Sequence, residues 1–223
     1  MAEPGRIRLR EFVNSEQLAA ALADAVAGAL RARLARDKAA ALAVSGGTTP
    51  VKFFQALSSR QLDWPLVTVT LVDDRCVPES SERSNARLVK MHLLQNAAAQ
   101  AVFLPLMGAA EASIAALPLP FAAVVLGMGL DGHTASFFPG GDHLAAALKG
   151  SHLLETMNAP GANEPRVTLT LPSLLGADFL ALHIEGAAKL KALEAAMQPG
   201  SATAMPIRAV LARQPGPEIF WCP

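Results

Sequence analysis

His133 is the residue best suited to proton transfer, and its surroundings explain why. It lies in Gly127-Met128-Gly129-Leu130-Asp131-Gly132-His133-Thr134-Ala135-Ser136, within Gly127 to Gly141, the most glycine-dense stretch of the chain. An unperturbed imidazole titrates near pH 6.5, so it can take a proton from water around neutrality. Asp131, two residues away, can steer that imidazole or a ligand hydroxyl. The N–H groups of Gly127 to Gly129 can stabilise a developing oxyanion.

Two other segments carry binding chemistry. Ser45-Gly46-Gly47-Thr48-Thr49-Pro50 combines two glycines with three hydroxyls. The glycines permit φ > 0 and can turn successive N–H groups into one concavity, and the helix that follows adds its positive end. This is a plausible phosphate cradle, although an ordinary strand-to-helix turn reads almost the same. Asp73-Asp74-Arg75, followed by Val77-Pro78 and Ser84-Asn85, places two acids and a guanidinium at a strand end. The acids can hold hydroxyls, and Arg75 can grip an anion bidentately. By itself this segment reads more simply as a solvated turn before a helix cap. Arg166 opens a strand. Lys189 sits in the first turn of a helix, where a cation opposes the macrodipole; that mild cost hints at an anionic partner.

The remaining candidates read as structural. His92 falls mid-helix, His183 within a strand, and His143 and His152 beside a loop. None has metal-ligand spacing, so no metal is expected. Ser45 and Ser136 lack the G-x-S-x-G elbow of a serine hydrolase. Cys76 reads as a small filler. Gly127, Gly129 and Gly132 match G-x-G-x-x-G, but Pro139 and the glycines behind it stop any following helix after barely two turns. Asp131 would also set a negative charge beside a pyrophosphate, and Glu155 comes late for a ribose contact. A dinucleotide cofactor is not expected, nor any other.

These segments need a scaffold that brings them together. Ile7 to Val13, Ala39 to Val44, Val67 to Val72, Val102 to Leu106, Phe121 to Leu126, His152 to Thr156, Arg166 to Leu171, Phe179 to Ile184 and Ile219 to Cys222 read as strands. Helices are expected from Asn14 or Ser15 to about Arg36, Val51 to Leu57, Ser84 or Asn85 to about Gln95, Glu111 to Ala116, after Gly186 to about Met197, and Pro206 to Ala212. Alternation of the two, with strands apolar on both faces, predicts an α/β fold: a doubly wound, mostly parallel sheet with helices on both faces. Ligands bind at the carboxyl ends of such strands, and the three loops all follow strands.

The chain has 223 residues, 52% hydrophobic and 17% charged, which suits one α/β domain over residues 1–223 with a large core. Lys plus Arg equals Asp plus Glu at 19 each, so no chain-wide field for nucleic acid or an anionic membrane exists. Two cysteines make no disulfide framework and suit a reducing compartment. The opening residues show no signal-peptide core, and the longest apolar run is cut by His183 and Glu185. A cytoplasmic protein, monomer or small homo-oligomer, is expected.

In order and spacing the motifs resemble the 6-phosphogluconolactonase family. Ser45 to Pro50 stands for its S-G-G-[ST]-[TS]-P loop, Asp73 to Pro78 for D-E-R-x-V-P, and Gly127 to Gly140 for G-M-G-x-D-G-H-T-A-S-L-F-P-G. Arg166 to Pro172 matches R-[VI]-T-L-T-L-P, and Gly186 to Lys189 matches G-x-x-K. Asp74 replaces the family's usual Glu, Phe137 takes a Leu position, and the acid usual near the C-terminus does not follow Trp221. The resemblance implies a fold like that of ribose-5-phosphate isomerase and glucosamine-6-phosphate deaminase. It implies metal-free hydrolysis of 6-phospho-D-glucono-1,5-lactone in the oxidative pentose phosphate pathway. His133 would be the general base, with Asp131 assisting. Ser45, Gly46, Gly47, Thr48, Asp73, Arg75, Gly127, Gly129, Arg166 and Lys189 would hold phosphate and hydroxyls. An amino-sugar-phosphate deaminase is the nearest alternative, but its G-H-I-A-F-N-E is here Gly132-His133-Thr134-Ala135-Ser136-Phe137-Phe138. A non-catalytic sugar-phosphate sensor would have no need of His133 and Asp131.

Overall fold

The computed structural model describes residues 8–223. Its centre is a parallel sheet of seven strands. They are β1 (Arg8–Glu11), β2 (Ala40–Val44), β3 (Val67–Leu71), β5 (Val102–Leu104), β6 (Ala123–Leu126), β9 (Phe179–Glu185) and β10 (Glu218–Cys222). Their spatial order is β1-β10-β9-β6-β2-β3-β5, with every neighbouring pair parallel. All five residues of β2 and all four of β6 are buried. Side chains alternate across a sheet, so both faces must be covered, as the unbroken apolar runs predict.

The helices follow local signals. In α1 (Ser15–Asp37) Asn14 caps the start, its side chain accepting from Gln17 N–H, and Leu18, Leu22, Val26 and Leu30 are fully buried. Pro50 leads into α2 (Val51–Ser58), and Ser84 caps α3 (Asn85–His92) through Arg87 N–H. The others are α4 (Glu111–Ala115), α5 (Leu144–Lys149), α6 (Leu171–Leu175), α7 (Ala187–Met197) and α8 (Ile207–Leu211). Among the described residues, no helix is long and apolar enough to cross a membrane.

The structure departs from the sequence reading in several places. Asp73–Arg75, expected as loop, forms strand β4, which pairs antiparallel with β8 (Arg166–Leu169); β8 pairs in turn with β7 (Leu154–Met157). The strand expected to run to Leu171 ends at Leu169, because Leu171 and Pro172 begin α6, where proline is tolerated in a first turn. Helix α5 was hidden by the glycines around it. The expected first strand begins at Ile7, outside the described residues, and its tail beyond Glu11 is not strand.

The topology locates the crevice. From β2 the chain winds outward to β3 and β5, then returns to β6 on the other side of β2. The order therefore switches between β2 and β6, where a ligand crevice opens at the carboxyl ends. Ser45 and Gly127 directly follow these two strands. The small antiparallel sheet is tied to the same edge by Leu169 N–H, which donates to Val72 C=O at 2.9 Å.

Candidate active site

The first loop is fastened before it can bind anything. Ser45 Oγ donates to Val125 C=O at 3.1 Å and accepts from Gly127 N–H at 2.9 Å. Its hydroxyl proton is therefore spent on joining the β2 and β6 loops, which corrects the expectation that Ser45 offers a free donor. Gly46 is glycine because a Cβ there would strike the Asn85 side chain, and Gly47 has φ +92°, open to glycine at little cost. Thr48 and Thr49 line the cavity, and no side chain caps α2. The first-turn N–H groups of α2 are left available to an anion.

The two adjacent acids separate. Asp74 is 1% exposed; its Oδ1 accepts from Arg75 and Asn85 N–H, both at 2.8 Å, and its Oδ2 from Ala86 N–H at 3.2 Å. It caps α3 and does not line the cavity. Burial pushes its pKa up, against the pull of those three N–H groups. Asp73 does line the cavity, with Oδ2 accepting from Ser136 Oγ at 2.5 Å and lying 3.9 Å from Arg166 Nη1. Asn85, seen in the sequence only as a cap, reaches the cavity and donates Nδ2–H to Asp73 C=O.

Arg75 and Arg166 face each other across β4 and β8 as direct partners. Opposed side chains of an antiparallel pair point to the same side, so two like charges stand together, an arrangement that costs stability. Both Nε atoms are buried without a partner, and both residues line the cavity.

His133 falls between these two arginines in sequence and lines the same cavity. Its Nδ1 is 2.6 Å from Asp131 Oδ1, which also accepts the His133 backbone N–H at 3.1 Å. With Asp131 held at Nδ1, that nitrogen carries the proton whenever the ring is neutral, and Nε2 has no partner among the described residues. Burial works against the Asp131 carboxylate, but the backbone N–H and imidazole of His133 outweigh it and hold the pKa below the ordinary value. Asp131 itself stands behind the imidazole and does not line the cavity. Gly129 must be glycine, since a Cβ would strike the His133 ring.

The glycine N–H groups behave differently from expectation. Gly127 N–H goes to Ser45 Oγ and Gly129 N–H to His133 C=O at 2.8 Å. Both are consumed in shaping the loop, so neither is an oxyanion donor; of the three, only Met128 N–H has no protein acceptor among the described residues. Lys189 Nζ donates to Met128 C=O, which ties α7 to this loop, and burial lowers the lysine pKa while Asp131 opposes the shift. No helix follows Gly132. Thr134 to Phe137 form a tight turn with Ala135 at φ +46°, and the next helix waits until Leu144. The nucleotide-like glycine pattern therefore has no helix N-terminus to present to a pyrophosphate.

The resulting cavity has a volume of about 330 Å³. Eleven of the twelve anticipated residues line it, Asp131 being the one behind. Phe138 and His183 line it too, although sequence reading sets His183 aside as bland and passes over Phe138. His183 is buried, with Nε2 3.0 Å from Glu185 Oε1; in the sequence only that i, i+2 acid marked it. Among the described residues, no three of His, Cys, Asp or Glu gather as a metal site.

A model of the family "Glucosamine-6-phosphate isomerases/6-phosphogluconolactonase" matches residues 13–221. The chain belongs to this family. A 6-phosphogluconolactonase of Rhizobium meliloti is 51% identical, with 95% of this chain and 97% of the relative covered. That of Pseudomonas aeruginosa is 42% identical over 93% and 92%. The crystal structure of a 6-phosphogluconolactonase from Shewanella baltica superposes with a TM-score of 0.95 at 38% identity, covering 98% of both chains. The family resemblance drawn from the motifs is thus correct, and so is the α/β fold it implies.

Proposed function

We propose that the chain hydrolyses 6-phospho-D-glucono-1,5-lactone to 6-phospho-D-gluconate, the second step of the oxidative pentose phosphate pathway. The observation that carries this reading is the His133–Asp131 pair, which engages Nδ1 and leaves Nε2 free beside the cavity. Relatives named as 6-phosphogluconolactonases support the substrate. His133 Nε2 takes a proton from water as its oxygen adds to the C1 carbonyl. The oxyanion formed meets Met128 N–H. Collapse breaks the bond from C1 to the ring oxygen, which takes the proton back from the imidazolium, and the open-chain acid leaves.

The phosphate meets the unpartnered Nε groups of Arg75 and Arg166, with α2 N–H groups of the first loop and Lys189 as further donors. Asp73 and Thr48 meet substrate hydroxyls. The isomerase branch of the family is less well served. No carboxylate follows His133 at the deaminase position, where Phe137 and Phe138 stand. Two free cysteines, Cys76 and Cys222, fit a reducing cytoplasm.

The test is proton release from freshly made 6-phosphogluconolactone in EDTA, after subtraction of spontaneous opening. Wild type should open it rapidly, and His133→Ala should lose roughly 10²- to 10⁴-fold in kcat. A folded wild type with no rate above background overturns the lactonase reading.

A further inference from the structure

We infer that Phe138 is a positioning residue for the base, setting the plane of the His133 imidazole so that Nε2 faces the substrate. The inference rests on the reading of His133 as base. It starts from how little else orients that ring. His133 lies on a loop, with its side chain 33% exposed, and its one ring hydrogen bond goes to a carboxylate that is itself 47% exposed. That contact limits χ2 only as firmly as the half-exposed carboxylate is itself held, and χ2 is intrinsically broad for an imidazole.

Phe138 supplies the missing constraint. Its ring centroid is 4.4 Å from that of His133, with the planes 29° apart, a stacked arrangement. Phe138 is 3% exposed, and the backbone around it is pinned by Phe138 N–H to Ser136 C=O and Gly141 N–H to Phe138 C=O. The left-handed Ala135 in the preceding turn, a conformation uncommon outside glycine, lets the chain double back from His133 to Phe138 within five residues. Gly129 packs against the same imidazole with no room for a Cβ.

The ring also reaches the proposed phosphate end. The Arg166 guanidinium carbon lies 5.4 Å from its centroid, within cation–π range. Phe138 therefore touches both the base and one of the two guanidinium groups whose Nε atoms lack a partner. An aliphatic side chain could fill much of this space, but it offers no flat face against the imidazole. A sub-ångström tilt of the base is costly, since misplacement by about 1 Å can lose 10²-fold in rate.

The experiment compares Phe138→Leu, Phe138→Met and Phe138→Tyr with wild type and His133→Ala. Wild type and His133→Ala alone test the lactonase reading, so its failure is separable. If Phe138 positions the base, Leu and Met variants lose tenfold or more in kcat with KM within threefold, and Tyr restores kcat to within threefold. The ¹⁵N spectrum of His133 should show one neutral tautomer, protonated at Nδ1, in wild type and the Tyr variant, and an averaged pair in the Leu or Met variant. Should either aliphatic variant fail to fold, the other carries the comparison. A folded aliphatic variant with kcat within twofold of wild type, or one whose His133 tautomer is unchanged, overturns the inference.

Discussion

Arg75 and Arg166 are the residues whose environment most plainly awaits a ligand. Direct partners in an antiparallel pair usually carry opposite or neutral side chains; here both are cationic, with buried, unpaired Nε atoms. An anion between them relieves both the repulsion and the unmet donors. Arg75→Ala should accordingly raise KM by roughly 10- to 100-fold, the worth of one charge-assisted hydrogen bond, while kcat stays within about threefold. Michaelis–Menten kinetics decide it: an unchanged KM removes Arg75 from the anion site. Residue types were legible here and partners were not. Asp73 and Asp74 are adjacent and chemically identical, yet one accepts from Ser136 across 63 residues and the other caps a helix. Nothing local distinguishes them, because the difference is made by what the fold packs against each.

At the scale of elements, Asp74 shows how a substituted motif position keeps a structural job. Its carboxylate accepts Asn85 and Ala86 N–H at the start of α3 and Arg75 N–H in β4, and α3 carries Asn85 into the cavity. Asp74→Ala leaves these donors unmet and should cost about 1–3 kcal/mol, read as a lower midpoint in urea denaturation. The pH dependence has a definite sign. The folded pKa is raised, chiefly by burial, so the native state binds a proton more readily than the unfolded chain. Stability on this account falls as pH rises from the ordinary carboxylate value, about 3.9, through the folded pKa; the Ala variant should lack that decline. Most elements were readable from apolar periodicity and caps: α1 with Asn14, α2 after Pro50, and the core strands β2, β3, β6 and β9. Strand β4 was not, since Asp-Asp-Arg has no strand character and is held extended only by pairing with β8, some 90 residues away.

For the molecule as a whole, the switch in strand order beside β2 puts the site on the most buried part of the sheet. Leu42, fully buried in β2, pairs with Val69 of β3 and Ala123 of β6. Leu42→Ala should cost about 2–5 kcal/mol and lower Tm by roughly 2–4 °C for each kcal/mol. We take residues 1–223 as one domain. Far-UV circular dichroism and the fluorescence of Trp64 and Trp221 should then report one coincident transition, and two separated transitions would refute a single folding unit. Periodicity, caps and strand–loop order by themselves determined the parallel α/β class and the placing of three loops after strands, and they offered Asp131 as a neighbour for His133. Each of these depends on neighbours close along the chain. Only the tertiary structure decided that Ser45 is a clamp, that Gly127 and Gly129 spend their N–H groups on the loop, that Arg75 meets Arg166, and that Phe138 lies against His133 and the Arg166 guanidinium. Most of those contacts join segments tens of residues apart, and the rest depend on how a loop folds back on itself, so residue order alone does not encode them.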